Sequence, residues 1–136
     1  MREHLDLAIG SSLMTIAHIA VGASILYFLG FGVGMIARPA LVKNFDLEWS
    51  GQAGKTEVRC YYGALSVGLS IFMSYLMYRH MTLPALTGMC IFATSVFVMR
   101  VFGTALDKSW ASSYSKLAIP TEALFVLALG GARILA

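Results

Sequence analysis

Residues 7–37 read LAIGSSLMTIAHIAVGASILYFLGFGVGMIA, and between Asp6 and Arg38 no Asp, Glu, Lys or Arg interrupts them. A membrane-spanning helix needs roughly 20 predominantly apolar residues. This run exceeds that length, with Ser11, Ser12, Thr15, His18 and Ser24 as mild polar groups. It is also far longer than the apolar centre of a secretory leader. The expectation is a retained span within 7–36, its surplus length taken up by tilt or by first turns outside the membrane. Arg38-Pro39 stops it, because proline has no N–H to donate and clashes with the preceding turn.

Working outward, the pattern recurs three times. Span two is expected at about 57–78, followed by Arg79-His80. Span three is expected at 83–106, with Thr82 as its cap and Pro84 in its first turn. Span four is expected at 118–135, beginning near Pro120 with Glu122 in its first turn. The connection 38–56 carries Asp46, Glu48, Trp49 and a flexible Ser50–Gly54 stretch. Its Ala40-Leu41-Val42…Phe45…Leu47 pattern suits a short amphipathic piece on the membrane surface. A second polar connection, Ser109–Lys116, carries Trp110 and Tyr114. Thr56-Glu57 and Thr121-Glu122 open spans two and four, but the rest of the two halves does not align, so coincidence is preferred over duplication.

Composition supports a single all-α, integral membrane four-helix bundle. The 136 residues are 58% hydrophobic and 12% charged, with a mean hydropathy of +0.75. Soluble domains carry about 25% charged residues. Four spans use about 80 residues, and what remains is too little for a separate folded domain. These figures exclude a soluble enzyme, a nucleic-acid-binding domain and a multidomain protein. The net charge of +3 has no Lys/Arg run behind it, so it reads as a record of orientation rather than of nucleic-acid contact. Four spans place Arg2, Arg79 and Arg133 on one side, and Arg38, Lys43, Lys55, Arg59, Arg100, Lys108 and Lys116 on the other. The second side is favoured as cytoplasmic, less strongly if Arg59 and Arg100 are held inside the bundle.

The charges become informative when the spans are laid side by side. Spans two and four start on the side where span three ends. Glu57, Arg59, Tyr61 and Tyr62 then share a depth with Arg100, Asp107 and Glu122. Arg59, Tyr62, Gly63, Ser66 and Ser70 fall at helical spacings on one face, as do Arg100, Gly103, Thr104 and Asp107. Ionisable residues at membrane depth face the bundle interior and pair. An Arg/carboxylate network is therefore expected, with Glu122 as partner of Arg59 or Arg100, and with Gly63, Gly68 and the span-one glycines allowing close backbone approach. The structural alternative stays open. Glu57 and Glu122 also suit the positive ends of helix dipoles, and both arginines lie within snorkelling reach of headgroups.

Other residues carry less. His4, His18 and His80 do not share a depth, so neither haem nor a histidine metal site is expected. Met73, Met77, Met81, Met89 and Met99 read as packing or lipid-facing residues rather than copper ligands. Cys60 and Cys90 differ in expected depth by about 15 Å, too far for a disulfide. Tyr75, Tyr78, Trp49 and Trp110 read as interfacial aromatics. Glycine pairs within apolar helices are not phosphate cradles. No cofactor or metal is expected.

The stretch Thr56-Glu57-Val58-Arg59-Cys60-Tyr61-Tyr62-Gly63-Ala64-Leu65-Ser66-Val67-Gly68-Leu69 resembles the E-x-R-x-x-Y-G-G-x-x-x-G signature of an uncharacterised small bacterial four-helix membrane family near the DoxX-like proteins. Arg100, Gly103 and Asp107 resemble its second motif, and Glu122 its last acidic position. The likeness runs from about Pro39 to Leu129; span one is generic. Ala64 replaces the second glycine of the family's Y-G-G, and Lys108 stands where a glycine usually follows the aspartate. The resemblance implies a DoxX-like bundle in the bacterial inner membrane, with Glu57, Arg59, Tyr62, Arg100, Asp107 and Glu122 as its polar set. It implies no reaction, substrate or cofactor.

Three functions fit these residues. The preferred one is a noncatalytic membrane module whose polar cluster binds a small amphiphile, or which serves as accessory subunit of a larger membrane assembly or homo-oligomer among membrane lipids. The second is a membrane enzyme acting on a lipid-like substrate by proton transfer, with Glu122 as the proton carrier and Tyr62 as donor. The third is a proton or anion transport component.

Overall fold

The computed structural model describes the backbone of residues 2–136 and the side chains of Ser12 and of residues 14–136. Expectations resting on the side chains of Arg2, His4, Asp6 and Ser11 lie outside the described residues. The described residues are predominantly helical and contain no strand. Helix α1 runs Arg2–Ala37, α2 Gly51–Glu57, α3 Leu65–Tyr78, α4 Thr82–Leu106 and α5 Ser113–Leu135. A 3-10 segment occupies Pro39–Phe45, and a π-helical stretch, Val58–Ala64, joins α2 to α3 in one continuous rod. Among the described residues four helices are long and apolar enough to cross a membrane: Met14–Ala37, Gly51–Tyr78, Thr82–Leu106 and Ser113–Leu135. Their outer faces suit lipid rather than water, since Leu26 and Leu127 are 71% and 70% exposed. These features suggest a multi-pass membrane protein.

In hydrocarbon every backbone polar group must be satisfied within the protein, and the polar residues of the spans follow the same rule. The hydroxyls of Ser66, Ser74, Thr87, Ser95 and Thr121 each donate to the carbonyl four residues back, at 2.7–2.8 Å. This local bonding satisfies their hydroxyl protons within the helix that carries them.

The chain divides into two compact units, Gly22–Tyr75 and Met1–Val21 with Leu76–Ala136. The first is organised around the end of α1. Met35, Val42 and Val58 are buried there, with Phe31, Phe45 and Trp49 packed against them. The segment read as a short amphipathic piece forms a 3-10 turn whose Val42 enters this cluster. Pro39 opens the 3-10 turn, and Asp46 closes it in the left-handed region at φ 56°. The rod after it begins at Gly51, earlier than the expected start of span two, and Gly54 within it packs against Trp49: a Cβ at Gly54 would lie 2.8 Å from Trp49 Cβ.

In the other unit α4 and α5 pack against each other as a hairpin. Small residues are buried along both helices, Ala85, Ala93 and Thr104 on α4 and Ser115, Ala118 and Ala132 on α5, as close packing in membranes requires. Two expectations need correction. Span four starts at Ser113 rather than near residue 118. Ser112 is an N-cap, accepting from the Ser115 backbone N–H at 3.0 Å, and it starts the helix inside the expected polar connection. Pro120 consequently lies within α5. Thr82 is likewise not a cap: it is the first residue of α4, and its hydroxyl bonds His18 Nε2 at 3.1 Å. His18 Nδ1 donates to the Met14 carbonyl at 2.7 Å, so this histidine is a hydrogen-bonded link between helices.

Two turns share one design. After α3, Met81 N–H bonds the Leu76 carbonyl and His80 N–H bonds Met77, both at 2.9 Å, with His80 at φ 57°. After α4, Ser109 N–H bonds Thr104 at 3.1 Å and Lys108 N–H bonds Ala105 at 3.4 Å, with Lys108 at φ 51°. Each is a Schellman ending, whose left-handed position favours glycine. The second turn forms with a lysine at that position.

Candidate polar site in the α4–α5 hairpin

Helix α4 carries Arg100 near its C-terminal end and α5 carries Glu122 in its first half. Arg100 Nε donates to Glu122 Oε1 at 2.6 Å, and each side chain is about one quarter exposed, 25% and 24%. The guanidinium carbon lies 4.9 Å from the centre of the Tyr114 ring, within cation–π range. Arg100 is thus held on one edge by a carboxylate and on one face by an aromatic ring. Glu122 Oε2 is buried and has no hydrogen-bond partner among the described residues. The contact uses one nitrogen and one oxygen, where an Arg–carboxylate fork would use two of each.

A second polar contact ties the hairpin toward its other end. Arg133 Nε donates to Thr87 Oγ1 at 2.8 Å, and Thr87 in turn donates to the Leu83 carbonyl. Along α4, Thr87 and Arg100 are separated by about 20 Å at the helical rise. Between these levels Met89 and Ala93 of α4 and Leu129 and Ala132 of α5 are buried.

The other expected site residues have different surroundings. Arg59 is exposed, and its Nε donates to the Ile36 carbonyl at 3.1 Å. That carbonyl belongs to the last turn of α1, where acceptors lack helical partners and the dipole is negative. Arg59 therefore caps α1. Glu57 and Asp107 are exposed and form no ion pair among the described residues; Asp107 is the C-cap of α4. Tyr62 is 38% exposed and offers its carbonyl to Ser66. The helical face expected to unite Arg59 and Tyr62 with Gly63, Ser66 and Ser70 is broken by the π-helical stretch. Burial there runs Val58, Gly63, Ser66, Ser70, Met73, a five-residue step followed by ordinary ones. A π-helix closes i→i+5 turns, so Gly63, Ser66 and Ser70 stay buried while Arg59 and Tyr62 stand exposed.

Tyr114, Arg133 and Thr87 were not singled out from sequence. The signal for Tyr114 was its i, i+4, i+8 row with Ala118 and Glu122, legible only once the helix is started at Ser113. Among the described residues no group of three or more His, Cys, Asp or Glu is arranged to hold a metal. Along the outward side of α4, Cys90, Ile91, Thr94, Ser95, Val98 and Met99 line an open groove of about 600 Å³. By helical spacing Arg100 stands on the opposite face of α4, toward α5.

The fold and site together suggest a multi-pass helical membrane protein with an incompletely satisfied arginine–glutamate pair in one hairpin. Compared with known proteins, the chain matches no family model, no curated sequence and no solved structure.

Proposed function

We propose that this chain is a noncatalytic module of a bacterial inner membrane, DoxX-like in architecture, which binds the head of a small amphiphile through the amino groups of Arg100, beside Glu122 and Tyr114. It does so alone or as accessory subunit of a larger membrane assembly. The observation that supports this reading is the one-point contact between Arg100 and Glu122. A guanidinium offers a fork of N–H donors and no acceptor, and only Nε is bonded among the described residues. A pair serving only to tie two helices gains by bonding through both nitrogens and both oxygens. Here the two amino groups of Arg100 stay available on a side chain that is one quarter exposed, in surroundings where an unpaired polar group costs several kcal/mol.

Proton transfer draws less support, because a general base must reach the proton it removes. Glu122 Oε1 is engaged by Arg100 and Oε2 is enclosed.

Native mass spectrometry of the protein released from mild detergent tests the proposal. Wild type should carry a bound amphiphile that Arg100→Gln loses, with helix content unchanged by circular dichroism. Equal occupancy in both proteins would remove this function.

A further inference from the structure

We infer that the head taken by this site is a neutral carbonyl, the ester or amide of an uncharged amphiphile, rather than a phosphate or carboxylate. The inference rests on the amphiphile reading given above and narrows its ligand class.

The first argument is donor and acceptor supply. The amino groups of Arg100 are the donors left over, while Glu122 Oε2 is enclosed and out of a ligand's reach. An incoming head must therefore accept hydrogen bonds. Ammonium heads, which only donate, have nothing to bind.

The second argument is charge. Glu122 at 2.6 Å already neutralises Arg100. A further anion would stand beside the carboxylate in a medium of low dielectric, where like charges repel strongly and are screened little. A carbonyl brings a dipole and no net charge.

Shape and depth agree. Tyr114 covers one face of the guanidinium, so an acceptor enters at its edge, in the plane where carbonyl lone pairs lie. Arg100 lies six residues before Leu106, the end of α4, or about 9 Å along the axis. The 25 residues of α4 span about 37 Å, some 7 Å more than a hydrocarbon core of about 30 Å. With that excess shared between its ends, Arg100 lies roughly 5 Å inside the hydrocarbon boundary, below the level of headgroup phosphates. Arg133 is the contrast within the same hairpin. It is exposed near the end of α5, bonds only the Thr87 hydroxyl and has no carboxylate partner among the described residues, so it is the cation that suits an anionic head.

The test uses the full chain in nanodiscs of diether phosphatidylcholine, which contains no carbonyl. Three probes are added separately: a monoacylglycerol with a ¹³C-labelled carbonyl, its alkyl-ether analogue, and a diether phosphatidic acid. Retention is read by native mass spectrometry, and the labelled carbonyl stretch by infrared spectroscopy. Wild type should retain the ester about tenfold better than the ether, the value of one charge-assisted hydrogen bond, with the stretch moved to lower wavenumber. Arg100→Gln should lose both effects, and Arg100→Lys, which keeps the charge without the fork, should lose most of the preference. Glu122→Gln leaves Arg100 uncompensated and should gain about tenfold for phosphatidic acid. The ester-to-ether comparison in wild type needs no variant to fold. Arg100-dependent retention of phosphatidic acid by wild type, in preference to the ester, overturns the carbonyl inference and leaves the amphiphile reading standing. Absence of Arg100-dependent retention for all three probes overturns both.

Discussion

A methyl group on Gly32 would stand 2.7 Å from the carbonyl oxygen of Gly63 and 2.8 Å from Val67 Cγ2. The end of α1 and the π-helical turn therefore cross backbone against backbone. The relation is reciprocal, since a methyl on Gly63 would meet Ile36 Cγ1 at 2.6 Å and the Gly32 oxygen at 3.3 Å. Overpacking of this kind costs about 1–3 kcal/mol. Gly32→Ala and Gly63→Ala should each lower thermal stability in detergent by an amount in that range. Gly30→Ala and Gly68→Ala meet nothing within 4 Å. They should be neutral or raise stability by about 0.5–1 kcal/mol, the helical advantage of alanine. Equal losses at all four positions would show that the crossing is not the cause.

The crossing also marks how much of this molecule could be read from sequence. The four apolar helices follow from length and hydropathy, because lipid leaves a chain little besides helix. The glycines of span one and Gly63 were expected to permit close approach, and Gly32 with Gly63 does so. Gly68 and Gly30 do not, since apolar periodicity does not say which glycine faces a neighbour. The polar set was less legible. Its pairing of Arg100 with Glu122 was one of two options, and only the geometry chooses it. Arg59 shares the charge and depth expected of the network, yet it serves the end of α1, and an orphan carbonyl leaves no mark in sequence. The π-helical turn hid the true face of the rod, since all face assignments assumed ordinary helical spacing. Ser112 stands among Ser109, Ser113 and Ser115, any of which could cap a helix by residue type, whereas Pro120 is a more familiar start signal.

Arg100 and Glu122 should be energetically coupled. A hydrogen bond to a charged group contributes about 1.5–3 kcal/mol, and each partner is only one quarter exposed. In a double-mutant cycle of Arg100→Gln and Glu122→Gln, followed by thermal unfolding in detergent, the coupling should fall in that range. Thr87→Val, which removes the acceptor of Arg133, should not change it, because the two contacts are about 20 Å apart along α4. A coupling below about 0.5 kcal/mol would reduce the pair to a solvated surface contact.

The left-handed turn residues give a prediction of opposite sign. His80 and Lys108 adopt φ 57° and 51°, where a side chain costs about 1–2 kcal/mol. Glycine removes that cost and adds about 0.5–1 kcal/mol of unfolded-state entropy. Lys108→Gly and His80→Gly should therefore stabilise by up to about 1 kcal/mol each. Lys108→Val, β-branched at a positive φ, should destabilise. Melting curves of the three variants against wild type decide the matter, and a loss of stability in both glycine variants would contradict the Schellman assignment.

Arg59 offers the sharpest separation of a capping role from a binding role. Its Nε donates to the Ile36 carbonyl at 3.1 Å, in the last turn of α1. A cation there contributes about 0.3–1 kcal/mol through the helix dipole, and the bond satisfies an acceptor that has no helical partner. Arg59→Met keeps much of the aliphatic stem and removes both effects. Hydrogen exchange should then quicken at the amides of residues 33–37, with those of α4 and α5 unchanged, and occupancy of the Arg100 site by native mass spectrometry should stay at the wild-type level. Arg59→Lys should recover part of the protection, because the charge returns without the guanidinium edge. Loss of amphiphile in Arg59→Met with α1 exchange unaltered would move Arg59 from the helix end into the binding site.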